Sequence, residues 1–547
     1  MKKQKTLIAV AIFITIWAAT ALLQQYKLYT FEADHLFLYN LSWIGQHLSH
    51  AGGVALLISS FLTQFFYFPI LTAIITTLLY YLVWWSLNSI IKMTLGRENN
   101  LLSFLPILPL FLCIEEPFYG FRGHTATVIT LLFCCLYLKQ TATNKHTAIT
   151  TILVTIIVHY IVGTSILFAS LVLTIALLRK QKASDGVIAV ILALLGSFLC
   201  YQIGQFTSFA QALTPLQFYN WPTSYTIALS VWITIICTII LTYYTAKNNK
   251  QTIIDYTITI ASIVVTGFIY NKIHNPQTYK MLYECCMADK ENWKAIIKHN
   301  KKLEQDTYFL SYTNLALAKQ GKLLDEMFLF YQQIPNQQVD IKKVSNEVLR
   351  LRSHFYYHSN YIAATRKASF NSSLITPGGV QPHDMLHFIA TNKIVNTAQA
   401  TQKYVDILEQ TLFYADTART VFAQPNIGNL PEQNNFFEID GFTNDFAHVI
   451  DANPQNAVAK QFYLAYILLS ADKNSLRNYI SAHANEPLHP RLQEACTIMF
   501  TPDECQQLGV SNEIMQQFEA LKQGKKLQHF YQTYWFYIAY LNTTMKK

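Results

Sequence analysis

The acidic residues of this 547-residue chain are distributed very unevenly. Only seven of its 32 Asp and Glu residues precede residue 272, and the remaining twenty-five follow it. The first half consists instead of long apolar runs, beginning with "LIAVAIFITIWAATALL". Because charged side chains are costly in hydrocarbon, this composition is typical of a polytopic membrane domain. The chain is therefore predicted to divide into a membrane domain over 1–272 and a water-soluble domain over 273–547.

Nine apolar segments of the first domain are predicted to span the membrane as helices. The first is interpreted as an uncleaved span, because its apolar run is longer than that of a signal peptide and further spans follow. Several others are shorter than the ~20 residues of a full span, which predicts short, tilted or re-entrant helices. The segments are 6–23, 70–92, 101–115, 124–139, 147–161, 163–179, 187–203, 224–244 and 253–270.

The Lys and Arg residues between these segments predict the orientation. With the N-terminus inside, twelve fall in cytoplasmic loops and two, Lys27 and Arg122, fall outside. Positive residues favour the cytoplasmic side, so the second domain is predicted to be extracytoplasmic. The same loops account for most of the net charge of +9, which therefore indicates no nucleic-acid partner. The twelve are Lys2, Lys3, Lys5, Lys92, Arg97, Lys139, Lys145, Arg179, Lys180, Lys182, Lys247 and Lys250.

One further apolar segment is not counted among the nine predicted spans. It reads "GGVALLISSFLTQFFYFP", from Gly52 to Pro69, and treating it as a span would reverse every later loop. We therefore predict a membrane-surface or re-entrant helix that is joined to the next helix at Pro69. The alternative is a ten-span protein whose second domain lies inside the cell.

Ionisable residues collect in the loops that the nine-span orientation places outside. They occur in "CIEEPFYGFRGHT", in "FEADH" of the first outer loop, and in "VHYIVGT" between two spans. Ionisable groups at membrane depth tend to mark a functional site. Carboxylates beside histidines can bind a divalent metal ion or activate a hydroxyl, and an arginine pairs with phosphate. The candidate site residues are Glu32, Asp34, Glu115, Glu116, Arg122, His124 and His159, and most are expected to meet around one cavity.

Structural roles remain open for the same residues. Glu115 or Glu116 would anchor its loop by pairing with Arg122. The carboxylates of the first outer loop would be solvated, and His159 would pack between helices.

The order of elements in the first outer loop resembles that of a known enzyme family. An acidic pair in "EAD" soon after the first span, followed by surface helices before the second, resembles the GT-C fold of membrane glycosyltransferases. The resemblance covers about residues 1–270 and implies a transferase that uses a lipid-phosphate-linked sugar, with Asp34, or else Glu32, as the catalytic or metal-binding residue. The run "LSHAGGVALLISSFLTQFFYFPILTAIITTLLYYL" also resembles uncharacterised multi-pass proteins of the inner membrane of Bacteroidota, which implies a bacterial inner-membrane location and a periplasmic second domain.

The second domain is predicted to be helical throughout. Half of a tetratricopeptide pattern appears in "NLALAKQGKLLDEMFLFYQ", where small residues precede Gly321 and an amphipathic partner follows. A second helix pair is predicted in "AVAKQFYLAYILLSADKNSLRNYISAH". The chain is therefore predicted to be all-α, with a tetratricopeptide-like α-solenoid whose concave surface binds a protein or peptide partner.

Other chemical motifs in the sequence are weak. His383 and His387 lie four residues apart in "HDMLH", but the general-base glutamate spacing of a zinc protease is missing, which favours a structural helix. Cys496 and Cys505 are candidates for a disulfide, and no cysteine pattern resembles a zinc cluster.

Two functions are compatible with these features. The first is a GT-C-like transferase that moves a sugar from a polyprenyl-phosphate carrier at the outer face of the inner membrane. The second is a non-enzymatic, membrane-anchored scaffold for envelope assembly. Ionisable residues on one side of the membrane favour the enzyme slightly, because an anchor does not need them. Donor, acceptor and metal dependence are left open.

The nine-span orientation leads to a topology prediction. A C-terminal reporter that is active only in the periplasm should give a signal, because an odd number of spans carries the second domain outside. A cytoplasm-only reporter fused at the same position should stay silent. The reverse pattern would establish the ten-span arrangement.

Overall fold

The computed structural model describes residues 2–143, 147–179, 183–221, 226–246, 251–301, 306–332, 345–392, 398–423, 442–525 and 530–544. The chain divides into two compact units. Met1–Tyr279 with Gln410–Leu412 form the membrane unit, and Lys280–Glu409 with Phe413–Lys547 form the helical unit. The boundary predicted from composition, after residue 272, lies a short distance before this division.

All regular secondary structure in the described ranges is helical. Their isolated β-bridge joins Tyr119 to Tyr219, and these ranges contain no β-strand. The all-α prediction is therefore confirmed for the described residues.

The membrane unit contains thirteen described α-helices, and a fourteenth runs across the unit boundary. They are α1 Lys2–Leu23, α2 Gln25–Asp34, α3 Leu41–Leu48, α4 Gly53–Thr63, α5 Pro69–Leu95, α6 Ile107–Cys113, α7 Arg122–Thr143, α8 Thr147–Val162, α9 Ile166–Leu178, α10 Ser184–Gln202, α11 Phe209–Leu213, α12 Ile227–Thr245, α13 Gln251–Ile273 and α14 Pro276–Asp289.

Five of these helices are long and apolar enough to cross a membrane. They are α5, α7 over Arg122–Ala142, α10, α12 and α13. The other four predicted spans correspond to shorter apolar helices, namely Val10–Leu23 within α1, Leu102–Cys113, α8 and α9. A membrane protein is thus supported, while the count of nine spans stays a prediction.

Some of the residues that predict the orientation lie outside the described ranges. This applies to the start of the predicted segment 224–244 and to five of the twelve cytoplasmic cations, Lys145, Lys180, Lys182, Lys247 and Lys250.

Prolines explain two departures from continuous helix. The predicted segment 101–115 is divided into a 3₁₀ turn, Leu102–Phe104, and the short α6, because Pro106 lacks an N–H and interrupts the helical ladder. The segment before Pro69 forms α4 and a 3₁₀ turn, and α5 begins at that proline. The predicted helix junction at Pro69 is confirmed, since proline suits the first helical position.

Threonine hydroxyls inside the apolar helices are satisfied by their own backbone. In α8, Thr151 and Thr155 donate to the carbonyls four residues earlier, at 2.8 and 2.7 Å. Thr238 and Thr242 do the same in α12, at 2.7 and 2.8 Å. These bonds remove the cost of an unpaired hydroxyl, so the helices stay compatible with an apolar environment.

The helical unit contains fifteen described α-helices after the one that runs across the boundary. They are α15 Trp293–Asn300, α16 Thr307–Lys319, α17 Leu323–Glu326, α18 Asn346–His358, α19 Ile362–Leu374, α20 Pro382–Asn392, α21 Ala398–Leu408, α22 Ala415–Ala423, α23 Phe442–Ala452, α24 Ala457–Ser470, α25 Lys473–Ala482, α26 Pro490–Met499, α27 Pro502–Gln507, α28 Asn512–Lys522 and α29 Tyr534–Thr544.

The two predicted helix pairs differ in outcome. The second pair forms as predicted, as α24 and α25, and Asp472 caps α25 by accepting from the N–H groups of Asn474 and Ser475. In the first pair α16 turns at Gly321, whose φ is +73°, but α17 has only four residues and continues as a 3₁₀ turn. A full amphipathic partner is absent there, and a tetratricopeptide-like solenoid stays a prediction.

A carboxylate, an arginine and a histidine are buried together in the core of the helical unit. Asp289 accepts from Arg350 and, at 3.1 Å, from Nε2 of His354. Nδ1 of the same ring lies 2.9 Å from the Tyr312 hydroxyl. The carboxylate is thus paired and hydrogen-bonded, which burial of a charge requires.

The HDMLH helix joins this polar core. His387 Nδ1 lies 3.0 Å from the Ser353 hydroxyl, and Asp384 accepts from Ser372 at 2.5 Å. His387 and Asp384 are buried. These contacts agree with the structural interpretation of the motif.

The cysteines of the chain are all free thiols. Cys496 and Cys505, the candidates for a disulfide, are both free, and the Cys505 thiol donates to the Cys496 carbonyl at 3.3 Å.

The buried histidines lead to a pH prediction. Burial lowers the pKa of His383 to about 4 and holds those of His358 and His387 well below the ordinary value of 6.5. The unfolded chain then binds more protons, so this stabilisation is lost as the pH falls below about 6.5. Burial raises the pKa of Asp384, which acts in the opposite direction. Burial likewise lowers the pKa of His489, whereas it raises the pKa of Glu284 to about 7 and also raises that of Glu494. With four histidines against three carboxyls, we expect the helical unit of the full-length protein to melt at a lower temperature at pH 5 than at pH 7.5.

His387→Gln should weaken this pH dependence, because it removes one group that must take up a proton on unfolding. His483→Gln, at a half-buried position beside Tyr479, is the matched control and should keep it. Equal melting temperatures at both pH values in the unmodified protein would contradict the prediction.

Candidate functional site

Two loops of the membrane unit are held together by backbone pairing. Gly120 N donates to Phe218 O at 2.8 Å, and Asn220 N donates to Phe118 O at 2.7 Å. A Cβ on Gly120 would lie 2.8 Å from Phe218 O, so only glycine allows this approach. The pairing brings Arg122, at the start of α7, beside the segment 217–220.

Asn220 connects this pairing to the end of α2. Its Nδ2 donates to Oδ2 of Asp34 at 3.4 Å, and its Oδ1 lies 3.2 Å from Nε2 of His35. An amide oxygen only accepts, so Nε2 of His35 carries the proton. One uncharged side chain therefore fixes the orientation of both a carboxylate and an imidazole.

The environment changes the proton affinity of both groups. Burial raises the pKa of Asp34 to about 7, although Lys27 and the Asn220 hydrogen bond act to lower it. Burial lowers the pKa of His35 to about 4, and the nearby positive charge of Arg122 lowers it further. Near neutral pH Asp34 is therefore a comparatively strong carboxylate base, while His35 is neutral.

A cavity of about 350 Å³ lies on the other side of the paired loops' Arg122 and Gln217, and Asp34, His35 and Asn220 do not line it. Arg122 and Gln217 both line it, and Arg122 Nη2 donates to the Gln217 carbonyl. Nε of Arg122 and Nε2 of Gln217 are buried without a hydrogen-bond partner in the described part of the chain. Buried N–H donors without acceptors are costly, so the lining offers unused capacity for a ligand acceptor.

Glycines permit the close backbone packing along the cavity wall. Gly52 has φ +86°, and a Cβ there would lie 3.1 Å from Val162 O. A Cβ on Gly53 would lie 1.7 Å from a backbone oxygen, and one on Gly163 would lie 2.5 Å from Gln217 Oε1. Larger side chains at these positions would collide with the wall, so the shape of the cavity depends on the three glycines.

Two histidines at the C-terminal end of α3 also line the cavity. Nδ1 of His47 donates to Trp43 O at 2.8 Å, and Nδ1 of His50 donates to Gln46 O at 2.9 Å. A carbonyl only accepts, so Nδ1 carries the proton in both rings. Nε2 of each ring is then the nitrogen that is left for a hydrogen bond with a ligand.

Glu116 has a clear structural role. Its Oε2 accepts from the Tyr219 hydroxyl and, at 2.8 Å, from Ile227 N, the first residue of α12. A carboxylate at a helix N-terminus is favourable because the free N–H groups carry positive partial charge. Burial raises the pKa of Glu116 against the effect of these two donors.

Glu115 joins two helix ends instead of taking part in the cavity. It accepts from Gln24 Nε2 at 3.4 Å, and its Oε2 lies 2.9 Å from His274 Nδ1. Among the described residues neither Glu115 nor Glu116 pairs with Arg122, so the expected loop anchor is formed by other partners.

The remaining candidates lie in separate surroundings. His124 Nδ1 is 3.1 Å from the Tyr119 hydroxyl. His159 lies 3.4 Å from the Ser165 hydroxyl and 3.5 Å from the Cys200 sulfur, between α8 and α10. Glu32 is buried on α2.

Asp34, Glu115, Glu116, Arg122 and His159 were expected to surround one cavity, and the structure does not place all five around the cavity described above. Of these five, Arg122 lines the cavity, and Asp34 is linked to its neighbourhood through Asn220. Asn220 and Gln217 were missed because both are uncharged residues in the short stretch "PLQFYN". Only the pairing of distant loops gives them a role.

Metal ligation has little support in the described ranges. No group of three or more His, Cys, Asp or Glu side chains is placed there to hold a metal ion. The Asp34 carboxylate and the His35 imidazole, which both contact Asn220, are instead suited to proton transfer and hydrogen bonding.

The chain belongs to a family of unknown function, DUF6057, whose pattern matches residues 2–541. No curated protein and no solved structure matches this chain.

The contacts of Asn220 lead to a stability prediction. Asn220→Leu should destabilise the protein by about 1–3 kcal/mol, because Asp34 and His35, both half-buried, each lose a hydrogen-bond partner. A lower melting temperature of the detergent-purified full-length protein would report this. Asn474→Leu, at an exposed position on α25, is the control and should change stability by no more than about 0.5 kcal/mol. An unchanged melting temperature for Asn220→Leu would contradict the prediction.

Proposed function

We propose that the membrane unit is a GT-C-like transferase that moves a sugar from a polyprenyl-phosphate carrier to an acceptor hydroxyl. The observation that carries the proposal is the cavity at Arg122. Its polar lining consists of one arginine, two histidines and three glutamines, and none of its described lining residues is a carboxylate. A cationic, donor-rich lining favours a phosphate group, and the family match leaves the activity open.

The lining matches the parts of such a donor. The planar fork of Arg122 suits two phosphate oxygens, and Gln217 Nε2 supplies a further donor. Nε2 of His47 and His50 would accept from sugar hydroxyls. The apolar lining residues, which include Leu56, Val162, Phe206 and Phe218, would contact the first isoprenoid units.

Asp34 would act as the base of the transfer. As the acceptor oxygen bonds to the anomeric carbon, its proton passes to the Asp34 carboxylate. The bond between the anomeric carbon and the phosphate oxygen breaks, and polyprenyl phosphate leaves as the anion held by Arg122. A pKa of about 7 suits this role, because the carboxylate is then both populated and basic near neutral pH. Asn220 would keep the carboxylate oriented.

Two substitutions separate donor binding from transfer. Arg122→Lys should weaken binding of polyprenyl phosphate by about tenfold, because a point charge does not reproduce the bidentate fork. Asp34→Asn should keep that binding but lower transfer by about 10²–10⁴-fold, because the base is lost. Binding is measured by thermal shift of the detergent-purified protein with polyprenyl phosphate. Transfer is measured with a radiolabelled polyprenyl-phosphate sugar in membranes that contain the acceptors.

Matched controls use the same chemical changes elsewhere in the membrane unit. Arg97→Lys and Asp185→Asn should leave binding and transfer unchanged, since neither residue lines the cavity or is hydrogen-bonded to the 217–220 segment that holds Asp34. Full transfer by Asp34→Asn would reject the catalytic role, and equal binding by Arg122→Lys would reject the phosphate site.

A membrane-anchored scaffold is the second candidate. It is favoured by the contacts of Glu115 and Glu116, each of which joins distant parts of the membrane unit without lining the cavity. Failure of polyprenyl phosphate to bind the unmodified protein would make this function the better supported one.

A further inference from the structure

The helix α15 carries three lysines on one face. Lys294, Lys298 and Lys301 are spaced by four and three residues, and side chains at this spacing lie on the same side of a helix. Lys301 follows the last helical residue but keeps helical dihedral angles, and all three lysines are exposed. The buried side chains of α15 belong to other positions, Trp293, Ile296, Ile297 and Asn300. We call the exposed side the lysine face of α15.

The charge of the lysine face is not neutralised by its surroundings. None of its three lysines forms an ion pair within the described part of the chain. The segment 272–301 contains six lysines but only three carboxylates, Glu284, Asp289 and Glu291. Glu284 and Asp289 are buried and are held by His299 and Arg350, so Glu291 is the exposed carboxylate of this segment. The surface around α15 is therefore strongly positive.

The stability of the helix itself does not explain the lysine face. Like charges four residues apart repel each other, which applies to Lys294 and Lys298. Lys294 also lies in the first turn, where the positive end of the helix dipole opposes a cation. An anion bound outside the helix would relieve both repulsions.

The lysine face is close along the chain to the end of a membrane-length helix. Asn292 N donates to Met287 O at 2.8 Å, and farther along α15 His299 Nδ1 lies 2.8 Å from Glu284 Oε1. The helix α15 therefore folds back along α14, towards the beginning of α14 at Pro276. Glu284 is eight residues from Pro276, or about 12 Å along the helix. Two residues separate α14 from the end of α13.

We propose that the lysine face of α15 binds the anionic phospholipid headgroups of the membrane that α13 is long and apolar enough to cross. A lipid surface presents many phosphates side by side, and this suits three lysines spread over about 10 Å better than one small anion does. Cations close to an anionic membrane surface are attracted to it. The contact would hold the helical unit at the membrane surface. The proposal is independent of the transferase.

Lysine acylation followed by mass spectrometry measures this contact on the unmodified full-length protein. The protein is placed in nanodiscs of zwitterionic phosphatidylcholine, or in nanodiscs that also contain anionic phosphatidylglycerol. The three lysines of the lysine face should react about fivefold more slowly in the anionic discs, because binding of each to an anionic surface is worth about 1 kcal/mol. High salt should remove the difference. Lys473 and Lys522, exposed on α25 and α28, are the controls and should react equally in both kinds of disc.

Removing the charges gives a second measurement. The unmodified protein should melt at a higher temperature in anionic than in zwitterionic discs, because lipid that binds the folded state stabilises it. This difference should be smaller when the three lysines of the lysine face are together replaced by glutamine. In zwitterionic discs the same variant should be no less stable than the unmodified protein. The combination of Lys473→Gln, Lys522→Gln and Lys525→Gln, all at exposed positions, is the matched control and should keep the full difference.

Four results would overturn the proposal. The first is an equal acylation rate of the lysine face in both kinds of disc, and the second is an equal slowing at Lys473 and Lys522. The third is a melting difference that the variant of the lysine face retains in full. The fourth is an equal slowing by soluble glycerol phosphate in zwitterionic discs, which would assign the lysine face to a soluble phosphate ligand.

Discussion

The backbone pairing between residues 118–120 and 218–220 organises the polar residues of the membrane unit. It joins the loop after α6 to the segment before α12, which are about a hundred residues apart in sequence. In an apolar setting an unpaired N–H or carbonyl is costly, so two such loops gain most by pairing with each other. Arg122, Gln217 and Asn220 are then neighbours, and Glu116 reaches the start of α12.

The requirement that buried polar groups be paired also determines the core of the helical unit. Asp289, Arg350 and His354 are buried together, and each charge has a hydrogen-bonded partner. Replacing a satisfied group by an apolar one is tolerated more easily than removing only one partner. Both units therefore contain polar groups whose positions depend on one another, within helices that are otherwise packed through apolar and aromatic side chains.

The charged candidate residues of the membrane unit differ in the partners to which they are hydrogen-bonded. Glu115 and Glu116 are the most conspicuous acidic pair of the sequence, yet both are used to join helix ends. Asp34 is less conspicuous, but burial raises its pKa to about 7, and Asn220 links it to the segment that holds Gln217 beside Arg122. Proton affinity and position, more than charge density, make Asp34 the better candidate for chemistry.

Sequence alone determined the helical class, the apolar segments and the junction at Pro69, because helix periodicity, span length and the missing proline N–H are local properties. It also placed Asp34 and Arg122 among the candidates, since isolated charges stand out in apolar runs. Tertiary structure decided which residues meet: Asn220 with Asp34 and His35, Gln217 with Arg122, and Gly163 with Gln217. These contacts join residues far apart in the chain, so no local pattern encodes them, and the burial that sets the pKa of Asp34 exists only once the helices are packed.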